Sequence, residues 1–131
     1  MNRIQVVSGI IENGKGEVLL AQRPPRKKLA GLWEFPGGKI DPGESGEAAL
    51  KRELKEELEL DVRIGKFLGV FPHNYDWGSI DLHVYIVEAL SIPRPTEDVH
   101  VFKWAEPRSI SLEVLAAADV KPLEIYLTSR P

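Results

Sequence analysis

The sequence predicts an α+β or α/β sandwich, in which helices cover a sheet of mixed strands. Three observations indicate this class: several apolar runs of strand length, an amphipathic helix in the middle of the chain, and a second helix near its end. With 131 residues and a hydrophobic composition of 43%, the chain is long enough to bury a core. We therefore expect a single domain over residues 1–131.

Three strands are expected ahead of the central helix. Residues 1–11 and 17–23 are rich in branched apolar side chains, and the turn signal at residues 13–16 joins them. A short aromatic strand at residues 32–35 then leads into a loop that contains paired glycines. The basic segment between these strands is interpreted as a loop on which the side chains of Arg26, Lys27 and Lys28 are solvated.

The remaining elements follow from alternation, apolar spacing and turn residues. They are strands at residues 62–71, 80–90 and 99–105, a polar-aromatic turn at 73–79, a proline-rich loop at 92–98, and helices at 111–118 and 121–128.

The central helix should begin after Ser45, which is a good N-cap. Apolar residues from Ala49 to Leu58 recur at helical spacing and form the face that packs inward. Glu47 lies in the first turn, where the helix dipole favours a negative charge. These local signals predict the helix without any tertiary information.

An acidic stripe adjoins this apolar face. Glu53, Glu56 and Glu57 are neighbours on the helix surface, because residues three and four apart lie together. Like charges at this spacing repel, and clustered carboxylate oxygens suit a hard cation such as Mg²⁺ or Mn²⁺. A solvated charged helix is the alternative, since Glu47 can pair with Lys51 one turn further on.

The loop before the helix favours the cation. Gly37 and Gly38 follow Pro36, and paired glycines let the backbone approach a ligand closely. A glycine loop directly before an acidic helix is suited to binding a phosphate group through a metal ion. It is not a Walker A loop, which ends in Gly-Lys-Ser or Gly-Lys-Thr.

This stretch resembles the Nudix box, G-x5-E-x7-R-E-U-x-E-E-x-G-U. The exception is Glu59, where the family usually has a glycine that closes the helix in a left-handed conformation. Because that conformation costs a non-glycine residue about 1 kcal/mol or more, we expect Glu59 to extend the helix instead. The positions that match are Gly38, Glu44, Arg52, Glu53, Leu54, Glu56, Glu57 and Leu60.

The resemblance covers almost the whole chain. Residues 9–11, 33–39 and Trp104 are similar to the MutT branch of the family. Residues 20–24 and 30–35 are similar to the small nucleotide-pool enzymes of that branch, which include CTP pyrophosphohydrolases. The fold that this implies is α+β, with a mixed, partly barrelled sheet between helices.

The resemblance also implies a Mg²⁺-dependent enzyme, with Mn²⁺ as an alternative, that cleaves a nucleoside triphosphate to a monophosphate and pyrophosphate. The leading substrates are 8-oxo-dGTP and CTP or dCTP, and the expected role is sanitation of the nucleotide pool. Hydrolysis of ADP-ribose, dinucleoside polyphosphates or capped RNA is less favoured, because a chain of 131 residues has little room for a second nucleoside site. A non-catalytic nucleotide sensor is disfavoured because such sensors often lose the metal carboxylates.

The resemblance assigns roles to individual residues. Arg52 should pair with a carboxylate such as Glu44 and fix the helix against the loop, while Glu53 or Asp98 should act as the base. The expected metal ligands are the Gly37 carbonyl and the carboxylates of Glu53, Glu56, Glu57 and Asp98. The expected substrate contacts are Arg23, Phe35, Gly38, Lys39 and Asp119.

Two assignments stay open. Asp119 is a natural N-cap for the last helix, whereas in MutT-like proteins a carboxylate or amide at this point hydrogen-bonds the edge of the base. The aromatic residues Phe71, Tyr75 and Trp77 are either a base-stacking wall or ordinary core and rim residues.

Composition excludes several other classes. A net charge of −3 and a pI near 5.6 argue against stable nucleic-acid binding. The chain has no cysteine, so it has neither disulfides nor a thiolate site. No apolar run approaches the roughly 20 residues of a membrane span, and the N-terminus lacks a signal-peptide pattern. We expect a cytoplasmic protein without membrane contact, either a monomer or a homodimer.

Overall fold

The computed structural model describes residues 3–25 and 27–129. Within them the chain forms seven strands and two α-helices. In chain order these are β1 (Ile4–Glu12), β2 (Val18–Gln22), β3 (Trp33–Glu34), β4 (Gly37–Lys39), α1 (Gly46–Leu58), β5 (Val62–Tyr75), β6 (Gly78–Ala89), β7 (Phe102–Ala105) and α2 (Val120–Thr128). Neither helix is long and apolar enough to cross a membrane.

The strands form one mixed sheet organised around β1. β1 runs parallel to β6 along nine residue pairs, from Ile4 opposite Ile80 to Glu12 opposite Glu88. Its other neighbours are antiparallel: β2 at the end of β1, and β4 nearer its start. The order is β3-β2-β1-β6-β5, with β7 paired to β2. The predicted α+β class with a mixed sheet is confirmed, and the sheet is not closed into a barrel.

The two helices lie on opposite faces of this sheet. On β1, Val7 and Ile11 pack with the leucines of α1, whereas Ile10 packs on the other side with Leu123 and Tyr126 of α2. All five side chains are essentially inaccessible to solvent. The alternation of strand side chains therefore builds one apolar layer under each helix.

α1 ends at Leu58, and the expectation that Glu59 extends the helix is wrong. Glu59 adopts the left-handed conformation (φ 49°, ψ 36°), and its N–H donates to the Lys55 carbonyl at 3.1 Å. The next residue, Leu60, donates to the Leu54 carbonyl at 3.3 Å and is buried. Two backbone hydrogen bonds and the buried side chain of Leu60 thus stabilise the left-handed helix end that usually requires a glycine.

Residues 111–118 do not form the predicted helix. The Trp33 N–H donates to the Val114 carbonyl at 2.7 Å, and the Ala116 N–H donates to the Trp33 carbonyl at 2.8 Å. These bonds fix residues 114–116 beside β3, with Leu115 bridged to Trp33 after a turn at residues 112–114, and the 3-10 turn Ala117–Asp119 follows before α2. Tertiary pairing overrides the local helix propensity here.

Other boundaries also differ from the sequence prediction, and the strand expected at residues 99–105 begins only at Phe102. The glycine loop before α1 contains the strand β4, which pairs with β1. The hairpin turn expected at residues 73–79 is limited to residues 76–77, because β5 and β6 extend into it.

Candidate active site

Paired glycines bring β4 directly against β1 and α1. Gly37 lies opposite Ser8 and Gly38 opposite Val7 in the antiparallel register. A side chain at Gly37 would overlap the Val7 carbonyl, and one at Gly38 would overlap the Glu53 carboxylate. The glycines are therefore required for the close approach of β4 to the acidic helix.

Arg52 ties the segment after β4 to α1. Its Nε donates to Glu44 Oε2 at 2.8 Å and its Nη2 to Glu44 Oε1 at 2.9 Å, which confirms the expected pairing. Nη2 also donates to the Lys39 carbonyl at 3.1 Å, and Nη1 donates to Glu53 Oε1 at 3.0 Å. The Arg52 hydrogen bonds, followed by the Asp41 N–H, lower the pKa of Glu44 to about 2.

The carboxylates of Glu57, Glu53 and Glu34 have raised pKa values. Burial is the main cause at Glu57, where repulsion from Glu53 and then Glu34 adds to it and the pKa rises to about 8. Burial also raises the pKa of Glu53 against the opposing effect of Arg52, and that of Glu34 against the effect of Arg23. Burial thus disfavours the ionised form of all three carboxylates.

The donor set suits a divalent cation. Carboxylate oxygens and a backbone carbonyl are ligands that suit Mg²⁺. A bound cation would also offset the cost of burying the charged form of Glu57. Gly37, Glu53 and Glu57 line the same cavity, whereas Glu56 is exposed and lies 3.5 Å from Arg52, and Asp98 is exposed on its loop. Among the described residues, no three acidic or histidine side chains are already arranged as a ligand set.

A cavity of about 780 Å³ opens beside these carboxylates. The structure brings together at this cavity all of the predicted substrate contacts, which are Arg23, Phe35, Gly38, Lys39 and Asp119. Lys27 and Lys28 are exposed on their loop, as the solvated-loop interpretation expects, and they also line the cavity. Arg26 lies outside the described residues.

Glu34 is a cavity residue that sequence reasoning missed. Its Oε1 accepts a hydrogen bond from Arg23 Nη1 at 2.8 Å, while Arg23 Nε donates to the Lys28 carbonyl at 2.5 Å. Arg23 thereby connects the lysine-containing loop to the strand that carries Glu34. The available signal was an acidic residue inside an aromatic strand, which predicts a partner or a function when it is buried.

Asp119 does not cap α2 with its side chain, so that interpretation is wrong. Its Oδ2 accepts the Phe35 N–H at 3.2 Å, and only 5% of the residue is exposed. Burial, followed by repulsion from Glu34, raises the pKa of Asp119 well above its ordinary value. The carboxyl group faces the cavity end that also contains Phe35.

The aromatic residues divide into two groups. Tyr75 and Trp77 stack with their ring centroids 5.1 Å apart and their planes at 8°, and both line the cavity. The Tyr75 hydroxyl accepts the Ala118 N–H at 2.9 Å, which fixes the ring next to Asp119. Phe71 is partly buried against the core on the α2 side and does not line the cavity. The stacking-wall interpretation is therefore retained for Tyr75 and Trp77 only.

The NUDIX domain family model matches residues 2–126 of the chain. The chain belongs to the NUDIX family. It is 37% identical over 130 residues to the CTP pyrophosphohydrolase of Escherichia coli K12, covering 99% of this chain and 96% of that protein. It is 36% identical over 119 residues to an 8-oxo-dGTP diphosphatase of Haemophilus influenzae, covering 90% and 87%.

Solved structures place the Nudix fold along the full chain. The solution structure of the E. coli ORF135 protein matches with a TM-score of 0.84 and 37% identity, covering 100% of this chain and 95% of that one. The MutT protein of Methanosarcina mazei matches with a TM-score of 0.87 and covers 99% of that chain; at 23% identity this likeness concerns the fold alone. The segment whose sequence resembles the Nudix box spans β4, α1 and the loop between them.

Proposed function

We propose that this Nudix protein is a Mg²⁺-dependent nucleoside triphosphate pyrophosphohydrolase of the MutT type, which also accepts Mn²⁺. The observation that carries this proposal is the continuity of one cavity. Glu53 and Glu57 line it together with Phe35 and Asp119. A nucleotide bound there would reach the acidic helix with its phosphates while its base contacts Asp119.

The metal end would be held by the Gly37 carbonyl and by Glu53 and Glu57, with Glu56 and Asp98 completing the ligands. When bound, the cation neutralises phosphate charge and lowers the pKa of a water molecule. Arg52 is proposed to orient Glu53 through the 3.0 Å hydrogen bond to its Oε1. Glu53 lines the cavity and Asp98 does not, which favours Glu53 as the group that accepts the proton of the attacking water.

The nucleoside end would be formed by Phe35, Tyr75, Trp77 and Asp119. The two stacked rings offer a flat apolar surface for a base, and Asp119 offers hydrogen bonds to its edge. The similarity to a CTP pyrophosphohydrolase and to 8-oxo-dGTP diphosphatases supports CTP, dCTP and 8-oxo-dGTP as substrates. Removal of such nucleotides from the pool is the proposed role.

A nucleotide panel tests the proposal. Purified protein is incubated with 8-oxo-dGTP, dGTP, dCTP, CTP and ADP-ribose in Mg²⁺ or Mn²⁺, with EDTA as the control. We expect pyrophosphate and a monophosphate from at least one triphosphate, in reactions that EDTA abolishes. Reactions in ¹⁸O-labelled water then show which phosphorus is attacked. Inorganic phosphate and a diphosphate as first products, or ADP-ribose as the preferred substrate, would contradict the proposal.

A further inference from the structure

The loop at residues 91–98, between β6 and β7, is held by the C-terminal end of α1. The Arg94 N–H donates to the Leu58 carbonyl at 2.8 Å, and Thr96 Oγ1 donates to the Glu57 carbonyl at 2.6 Å. Carbonyls in the last turn of a helix have no N–H partner within the helix. The helix end therefore determines where this loop lies.

The Thr96 hydroxyl also organises the loop itself. Its Oγ1 accepts the Asp98 N–H at 3.2 Å and the Val99 N–H at 3.3 Å, while the Thr96 N–H donates to the Val99 carbonyl at 2.9 Å. Val99 is buried in the core on the α1 side and anchors the far end of the turn. One oxygen atom thus connects the backbone of Glu57 to the backbone of Asp98.

Both connected residues carry carboxylates that repel one another. The shared Thr96 oxygen lies 2.6 Å from the Glu57 carbonyl oxygen and 3.2 Å from the Asp98 nitrogen, so the residues that carry these two carboxylates are neighbours in space. Like charges oppose close approach when no cation lies between them, and the Thr96 hydrogen bonds act against that repulsion by holding the two backbones together. Thr96 provides that connection.

We propose that Thr96 is a positioning residue, whose hydroxyl places the Asp98 carboxylate relative to Glu57 so that helix and loop present oxygen ligands to the same cation. This inference rests on the proposed metal-dependent function. It assigns no contact between Thr96 and the substrate. A threonine that only closed the end of α1 would affect stability and leave metal affinity unchanged.

Ser91 provides a matched control in the same loop. Its Oγ accepts the Asp61 N–H at 2.9 Å. Like Thr96, it holds the loop through a hydrogen bond between a hydroxyl and a backbone group, in this case in the segment between α1 and β5. It bonds neither Glu57 nor Asp98, so Ser91→Ala removes a comparable hydrogen bond without disturbing the proposed ligands.

The test measures Mn²⁺ binding to the full chain without nucleotide, by electron paramagnetic resonance of the free ion, with melting temperatures recorded in parallel. We expect Thr96→Val to raise the Kd about tenfold, as is typical of residues that orient metal ligands. Thr96→Ser, which keeps the hydroxyl, should retain the wild-type Kd, and so should Ser91→Ala. Should Thr96→Val fail to fold, Thr96→Ala serves the same comparison.

A double variant shows whether Thr96 acts through Asp98. Asp98→Asn alone should weaken Mn²⁺ binding, and adding Thr96→Val should weaken it no further, because the two changes remove one interaction. Wild-type affinity in Thr96→Val or in Asp98→Asn, additive effects in the double variant, or an equal loss in Ser91→Ala would each overturn the inference. A wild-type protein that binds no Mn²⁺ would instead refute the proposed function.

Discussion

Arg52 and Glu44 form a two-pronged ion pair, with Nε and Nη2 of the guanidinium 2.8 and 2.9 Å from the two carboxylate oxygens. Because Arg52 belongs to α1 and Glu44 to the loop before it, the pair holds the glycine segment against the acidic helix. Arg52 also contacts Glu53 at 3.0 Å. Loop geometry and the orientation of a proposed metal ligand thus depend on one side chain.

This pair predicts an acid-sensitive contribution to stability. The pKa of Glu44 is lowered from 4.5 to about 2 in the folded protein, so its ionised form is favoured by folding. The contribution is therefore present above pH 4.5 and is lost as the pH falls towards 2. Melting temperatures of wild type and Glu44→Gln should differ at pH 6 and converge near pH 2. Glu47→Gln, at an exposed position of α1, is the control; a difference that persists unchanged to pH 2 would contradict the argument.

Glu53→Gln should abolish turnover while the fold remains intact. The amide keeps the size of the side chain and an oxygen that accepts from Arg52, but it removes the charge that the proposed cation needs. Losing a metal ligand costs several kcal/mol of transition-state stabilisation, or at least about 10³ in kcat. Steady-state rates with saturating Mg²⁺ and melting curves measure the two effects, again with Glu47→Gln as control. A kcat close to that of the wild type would exclude Glu53 from the chemistry.

Gly38→Ala should lower activity, whereas Gly37→Ala should prevent correct folding. The methyl group at Gly38 overlaps the Glu53 carboxylate, which can move, so we expect a folded protein whose kcat falls about 100-fold through misplacement. The methyl group at Gly37 overlaps the Val7 carbonyl of β1, which cannot move without breaking the sheet. That variant should give a low yield of folded protein or have a strongly lowered melting temperature. Wild-type activity in Gly38→Ala would show that Glu53 tolerates displacement.

Asp119→Asn should change the ranking of substrates. An amide always presents both a donor and an acceptor, whereas a carboxyl group donates only when it is protonated, and buried polar contacts discriminate strongly between bases. We expect the ratios of kcat/KM among 8-oxo-dGTP, dGTP, dCTP and CTP to shift by about tenfold or more. Unchanged ratios for all four would remove Asp119 from base recognition.

Stability serves as the control for this variant. Because burial raises the pKa of Asp119 above 3.8, the stability linked to its neutral form is complete below that pH and is lost as the pH rises through the folded-state pKa. Asparagine carries no charge, and its oxygen still accepts the Phe35 N–H. Asp119→Asn should therefore have a melting temperature at least as high as that of the wild type at pH 8. The difference between the two melting temperatures should become smaller towards pH 4. A less stable variant at pH 8 would contradict this account.

Local patterns predicted the elements that depend on local forces. Ser45 accepts the Ala48 N–H at 3.1 Å, as an N-cap should, and the apolar stripe of α1 is buried. Where two segments compete for the same backbone groups, local patterns failed. Residues 111–118 have helical propensity, yet Trp33 binds their backbone, and no periodicity within the segment carries that information.

The sequence by itself determined the family, the acidic helix and the Arg52 pairing, because capping, helical spacing and a dense motif act within a short stretch of chain. Only the tertiary structure decided that Asp119 bonds Phe35 rather than capping α2, and that Glu34 and the two lysines belong to the cavity. Those outcomes depend on burial and on contacts between distant residues. Such contacts exist only once β1 has brought the strands together, since desolvation and charge pairing act through space rather than along the chain.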